Sequence, residues 1–426
     1  MRCAIHSSAM EATMAAAAAS ARPFTSAATL SSPHSFSRKC ALPAAKLFST
    51  KTSTTTSTSI SSRTTHCTSS SSSSGSGPTE EPPNRELQHP GLVFDAGPAN
   101  SWDSRAVGSP VVNRYVGDDR ERWFMWYHAA RSIGLAVSNN GVHWERAGPV
   151  MEPSTDWWAF DTHSVAPSEV LVMSSDKLRP PGGAAVYWLY YTGSAAAPGE
   201  DASAARPPSL PGLALSQDGR HWARIEGEHH TGALFDAGGP GRWDSLSAAA
   251  PKVVYHSPGD LRMYYHSWDP AGRSSAIGIA RSRDGIKWAR LGRVLAAGPA
   301  GCFDEAGVRN GHVVRMRNGR GYLMAYEGVS AEGATSIGLA VSSDGLKGWT
   351  RCGDVAVLKP SPEEEDGWDS GGVDAPCLVQ MDGDGGDEWR LYYRGTGGDG
   401  RTGIGMAVSL AGNQHISFER WSGFRL

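Results

Sequence analysis

Short apolar runs that end in serine recur five times between about residue 89 and residue 426. Four of the five copies continue through a polar turn, with Asn-Gly or Asp-Gly at its centre, to a tryptophan. Such turns tolerate positive φ and are typical of β-hairpins. The pattern therefore predicts strand–turn–strand units, and the apolar runs are Ile133–Ser138, Gly212–Ser216, Ile277–Ser282, Ile337–Ser342 and Ile404–Ser409.

Each apolar run follows an aromatic strand, and an aromatic-Asp pair opens each unit. The pairs are Trp102-Asp103, Phe160-Asp161, Trp243-Asp244, Phe303-Asp304 and Trp368-Asp369. The turn glycines recur every 60 to 78 residues, which leaves room for four short strands in each unit. No helical periodicity interrupts the units. We therefore predict an all-β fold, a five-bladed β-propeller over residues 89–426.

The strand that ends each unit has one extra copy at the start of the repeat region. Leu92–Phe94 precedes the first unit and has no unit of its own. A propeller avoids open sheet edges, so this strand is predicted to complete blade five, pairing beyond His415–Trp421.

Residues 1–79 differ in composition from the repeats. They are rich in Ser, Thr and Ala and carry seven basic residues but one acid, a net charge of +6, which leaves −9 for the remainder. This composition is typical of a disordered organelle transit peptide with a Ser-rich linker, and the excess of hydroxyl residues favours the chloroplast. The alternative is a disordered regulatory tail. A negative repeat region argues against a nucleic-acid partner, and no apolar run is long enough to span a membrane.

The five units resemble the arabinanase/levansucrase/invertase superfamily, which includes the family 43 glycoside hydrolases. The resemblance covers essentially all of residues 89–426 and implies three acids in the axial funnel, placed directly before a proline or two residues before it. Glycosidic cleavage uses such carboxylates to protonate the leaving oxygen and to attack or activate water. The residues at those positions in blades one to three are uncharged: Gly108 and Ser109, Val165 and Ala166, Ala249 and Ala250.

The Asp of each opening pair occurs in every blade, so we expect it to accept backbone hydrogen bonds where an inner strand begins. Candidate site residues are instead those at which one blade differs from the others. Blades four and five supply most of them, and these residues are expected to converge on one side of the funnel or to lock the two blades together. The predicted catalytic residues are Glu327, Asp374 and Glu305, and the predicted ligand-binding residues are Arg309, Arg394, Asn310, His163 and Asp161.

Two functions remain open. The chain is predicted to bind or act on a carbohydrate or sugar phosphate in the funnel, or to serve as a non-catalytic scaffold with a plastid protein partner. No cofactor is expected. His128 and His266 could bind a metal, but the sequence shows no third ligand, so no metal site is predicted. Gly193–Pro211, a Pro/Ala-rich insertion in blade two, is expected to be a surface loop.

Overall fold

A computed structural model describes residues 89–117, 121–173, 186–195, 208–317, 319, 321–362, 367–381, 388–410 and 416–423. The predicted transit segment, residues 1–79, and residues 196–207 of the blade-two insertion lie outside this range. The described residues form β-strands joined by turns, without a helix, and so contain no helix that could span a membrane.

The strands group into five four-stranded antiparallel meanders. Blade one contains β2 (Gly108–Val116), β3 (Glu121–Ala129), β4 (Ser132–Ser138) and β5 (Glu145–Met151). Blade two contains β6 (Ser164–Met173), β7 (Val186–Ser194), β8 (Leu210–Ser216) and β9 (Ala223–Ile225). Blade three contains β10 (Ala249–Ser257), β11 (Asp260–Asp269), β12 (Ser274–Ser282) and β13 (Trp288–Leu295). Blade four contains β14 (Gly307–Arg315), β15 (Tyr322–Val329), β16 (Thr335–Ser342) and β17 (Thr350–Arg351). Blade five contains β18 (Gly372–Met381), β19 (Glu388–Thr396), β20 (Thr402–Ser409) and β21 (Phe418–Arg420), with β1 (Leu92–Phe94) added to it.

The first strand of every blade lines the propeller axis. Each of these inner strands contacts the inner strands of the two neighbouring blades, and β18 contacts β2, which closes the ring. The prediction of an all-β, five-bladed propeller is confirmed.

The two ends of the described chain meet on one strand. β1 pairs with β20 through Leu92 and Phe94, and β21 pairs with the remaining part of the same edge. The Gly91 amide donates to the Trp421 carbonyl at 2.8 Å, so the two short strands lie end to end. Membership of β1 in blade five is confirmed, but its predicted position beyond His415–Trp421 is wrong, because β1 pairs directly with β20 and shares with β21 the place that β5 fills in blade one.

The Asp of each opening pair holds two strands of its own blade together. Each of these carboxylates is fully buried and accepts a tyrosine hydroxyl from the second strand at 2.9–3.0 Å. An arginine from the fourth strand approaches the same carboxylate, within 2.7–2.9 Å in four blades and at 3.7 Å in blade three. The structural role expected for these residues is therefore supplied mainly by tyrosine and arginine side chains rather than by the backbone donors that we expected.

The Asp-Gly turns connect neighbouring blades. Tyr190 of blade two donates its hydroxyl to the Gly285 carbonyl of blade three at 3.1 Å, and Tyr264 donates in the same way to Gly345 of blade four at 2.6 Å. The φ angles of these two glycines are +80° and +70°, as the hairpin pattern predicts. A turn that is local in sequence thus also helps to set the angle between blades.

Candidate functional site at the mouth of the axial funnel

Equivalent residue pairs surround the axis at the end where the inner strands begin. In each pair a residue of the inner strand lies opposite a residue of the second strand: Gly108 and His128, Ala166 and Thr192, Ala249 and His266, Arg309 and Glu327, Asp374 and Arg394. Blades one to three place a small residue on the inner strand. Blades four and five place an ion pair there, so the charge is confined to one side of the ring.

The inner strands have a β-bulge directly after the residue of each pair in four of the blades. The first residue of the bulge has a φ of 46–50° there, at Ser109, Ala250, Asn310 and Ala375. Positive φ is unusual for a residue with a side chain, and asparagine tolerates it better than most. Blade four therefore carries an amide side chain where three other blades carry the smaller serine or alanine.

The blade-four pair buries its carboxylate beneath its guanidinium. Arg309 Nε donates to Glu327 Oε1 at 3.0 Å, its Nη2 contacts the same oxygen, and Asn310 Nδ2 donates to Glu327 Oε2 at 2.5 Å. The Glu327 side chain is 2% exposed, whereas that of Arg309 is 40% exposed. Burial, and next the charge of Asp374, raise the pKa of Glu327, against the opposing effects of Arg309 and Asn310.

The blade-five pair has the same arrangement with the strands exchanged. Arg394 Nη2 donates to Asp374 Oδ2 at 2.5 Å, and the side chains are 41% and 7% exposed. The aliphatic part of Arg394 lies against blade one, where a Cβ on Gly108 would come within 2.5 Å of its Cδ. A glycine at this position therefore leaves the space that the arginine occupies.

Two histidines flank the ion pairs. His266 Nδ1 accepts a hydrogen bond from the backbone amide of Asn310 at 3.3 Å, and His128 Nε2 lies 3.3 Å from Ser164 Oγ. Burial, assisted by Arg309, lowers the pKa of His266 to about 3, and burial, assisted by Arg394, lowers that of His128 to about 4. Both rings are thus neutral at physiological pH.

We call this group the charged mouth: Arg309, Asn310, Glu327, Asp374, Arg394, His128 and His266. Five of the predicted site residues belong to it. The sequence pattern had suggested the histidines only as metal ligands. The sequence signal that could have included them is the position directly after each aromatic strand, where four blades carry a charged or histidine side chain. Among the described residues, no three His, Cys, Asp or Glu side chains lie close enough to hold a metal ion.

Three other predicted site residues lie elsewhere. Glu305 accepts a hydrogen bond from the Gly301 amide at 2.6 Å, in the loop before β14. Asp161 is fully buried in blade two, where it accepts from Tyr191 and Arg224, and it is not part of the charged mouth. His163 is exposed just before β6, on a blade that adjoins neither blade four nor blade five.

Comparisons with known proteins give the fold a context. No family model matches the chain. Two uncharacterized proteins of Mycobacterium tuberculosis, MT1551 and Rv1502, are each 32% identical to it over 197 residues, which is 41% of this chain. The chain spans 59% of the length of these relatives.

Solved structures share the propeller architecture. A glycoside hydrolase matches with a TM-score of 0.56 at 19% identity, over 79% of this chain and 96% of that one. A thermostable family-43 glycoside hydrolase matches with a TM-score of 0.56 at 17% identity, over 77% and 97% of the two chains. A protein of the GH130 family of mannoside phosphorylases matches with a TM-score of 0.52 at 16% identity, over 78% and 97%. The chain therefore has the fold of the β-propeller glycoside hydrolases.

Proposed function

We propose that the protein binds a carbohydrate or sugar phosphate at the charged mouth. The observation that carries this proposal is the pair of half-exposed guanidiniums, Arg309 and Arg394, above buried carboxylates at positions that the repeat itself does not require. The two ion pairs lie at the end of the axis where the inner strands begin, and solved structures with this fold include glycoside hydrolases.

The hydrogen bonding of the blade-five pair is incomplete. Asp374 Oδ1 and Arg394 Nε are buried without a hydrogen-bond partner among the described residues. Both atoms have almost no accessible surface, so a ligand would reach the outer N–H groups of the half-exposed Arg394 guanidinium rather than these two atoms. Each guanidinium also keeps N–H groups that its carboxylate does not use.

Hydrolysis is the second candidate, and the raised pKa of Glu327 favours it. A glycosidase needs one carboxyl group that holds a proton and a second that is ionised. Glu327 would be the proton donor and Asp374 its partner. Recognition without cleavage is nevertheless the better-supported function, because each carboxylate is paired with an arginine. The positions at which the superfamily resemblance implies catalytic acids are also uncharged in blades one to three.

Binding is tested by calorimetry and thermal shift with a panel of oligosaccharides and sugar phosphates. A ligand at 100 times its Kd adds about 2.7 kcal/mol of stability. Arg394→Met should abolish this gain. The matched control is Arg281→Met, because Arg281 is also half exposed and paired with a buried carboxylate, that of Asp260, but lies on blade three away from the mouth. Equal losses in both variants, or none in Arg394→Met, would contradict the proposal.

Cleavage is tested separately on any saccharide that binds. Release of a reducing end by the wild type, and its loss in Glu327→Gln with binding retained, would establish hydrolysis. Binding without product release over long incubation would establish recognition alone.

We also propose that residues 1–79 direct the protein to the chloroplast. Their Ser- and Thr-rich, acid-poor composition supports this proposal. A fluorescent protein fused behind residues 1–79 should accumulate in plastids, whereas fusion to residues 89–426 should not lead to import. If the first fusion stays outside the plastid, the segment is a tail of another kind. A non-catalytic scaffold with a plastid partner remains the alternative function, to be tested by co-purification from stroma.

A further inference from the structure

An exposed tryptophan interrupts the polar surroundings of the charged mouth. Trp268 lies near the end of β11 in blade three and is 47% exposed. The corresponding positions of blades two, four and five hold Ser194, Val329 and Thr396. The propeller repeat therefore does not require an aromatic side chain there.

The register of the strands places Trp268 where blade three meets the inner strand of blade four. Side chains two residues apart on a strand lie on the same face, so Trp268 shares a face with His266. That face is turned toward blade four, because His266 accepts from the Asn310 amide at 3.3 Å. Trp268 also pairs with Ser275, and Ser275 pairs in parallel with Gly307, two residues before Arg309.

We infer that Trp268 is an aromatic wall of the charged mouth against which a sugar ring packs. This inference rests on the proposed function and narrows it to a neutral saccharide. The apolar C–H face of the ring would cover the indole, and its hydroxyl groups would reach Arg309, Asn310 and the neutral His266. Ligand sites commonly combine such an apolar surface with a few placed polar groups.

The charges of the mouth favour a saccharide over a nucleotide, which could also stack on an indole. Two guanidiniums face two carboxylates there, so the group has no strong positive excess to attract several phosphates. A sugar, in contrast, presents hydroxyl groups that both donate and accept, and the mouth offers both kinds of partner.

The test compares Trp268→Ser and Trp268→Phe with the wild type on the saccharide that binds best in the panel. Serine is the residue at this position in blade two, so the substitution suits the strand. Loss of the ring contact in Trp268→Ser should weaken binding by about tenfold, which corresponds to about 1.4 kcal/mol. Trp268→Phe should retain most of the affinity but lose the ligand-induced change in indole fluorescence.

The matched control is Tyr255→Ala, because Tyr255 is 42% exposed at the other end of the inner strand of blade three and should have no effect. Unchanged affinity in Trp268→Ser, with Arg394→Met still defective, would overturn the inference while the proposed function stands. If a sugar phosphate binds the wild type but no neutral saccharide does, the inference fails and the proposed function stands; if neither binds, both fail. Tighter binding of adenosine or its phosphates than of any saccharide would overturn the assignment of the ligand.

Discussion

Phe94 lies in the first strand, β1, and links blade five to blade one. Phe94→Ala tests how much this link stabilises the closed ring. Its backbone pairs with Ile404 of blade five, yet its ring packs on blade one. The ring centroid lies 4.8 Å from that of Tyr127 in an edge-to-face contact, and the Arg146 guanidinium lies 4.2 Å above it. These are the tyrosine and arginine that hold Asp103 of blade one.

The expected cost is large relative to the stability of a folded protein. Phe94 is 3% exposed, and truncating a buried phenylalanine to alanine costs about 3–5 kcal/mol. Loss of the contact with Arg146 adds about 0.5–1 kcal/mol at a partly exposed site. The total stability of a folded protein is about 5–15 kcal/mol. A loss of this size should therefore let blade five separate from blade one at a clearly lower guanidinium concentration than in the wild type.

Guanidinium unfolding followed by tryptophan fluorescence measures the change. Leu92→Ala is the control, because Leu92 lies on the same short strand but is only half buried, and it should cost clearly less. Phe94→Leu should recover most of the loss, since it restores buried volume. A Phe94→Ala variant that unfolds within about 1 kcal/mol of the wild type would refute the view that this side chain closes the ring.

Three further predictions concern the blade framework, the mouth and the N-terminus. Tyr326→Phe removes a buried hydroxyl that donates to Asp304 at 3.0 Å and should cost about 1.5–3 kcal/mol in urea unfolding. Because burial lowers the pKa of His266 from 6.5 to about 3, the unfolded chain takes up a proton first, so stability should fall as the pH drops below 6.5. His266→Asn should reduce this fall in urea titrations at pH 7 and pH 5, and an unchanged slope would contradict the assignment. Terminal sequencing of protein from isolated plastids should place the mature start between about Ile60 and Pro90, whereas an intact Met1 would contradict the transit prediction.

Much of the site could be predicted because it departs from a repeat. Glu327 and Arg394 follow equivalent aromatic strands, so aligning the units shows that they occupy one structural position. Glu305 also departs from the repeat, but its position relative to the site does not follow from that departure. It lies in the loop before its strand, where the side-chain direction depends on loop hydrogen bonds such as that to Gly301 rather than on the alternation of a strand.

The repeat also concealed how the invariant aspartates are held. Their recurrence indicated a structural role, but the partners Tyr127 and Arg146 of Asp103 lie 24 and 43 residues away in the chain. The second and fourth strands of the blade must pack over the loop that carries Asp103 before its carboxylate can accept from both Tyr127 and Arg146. The same packing buries Asp161 between Tyr191 and Arg224 of its own blade.

The sequence by itself determined the number of blades, the strands within each blade and the turns between them, because alternation and turn glycines act over a few residues. It also determined that blades four and five carry the unusual charges. Tertiary structure alone decided which charges meet. The bulges at Asn310 and Ala375 set the strand register, the ring brings Glu327 near Asp374, and burial raises the pKa of the glutamate. These contacts join residues far apart in the chain, so no local pattern contains them.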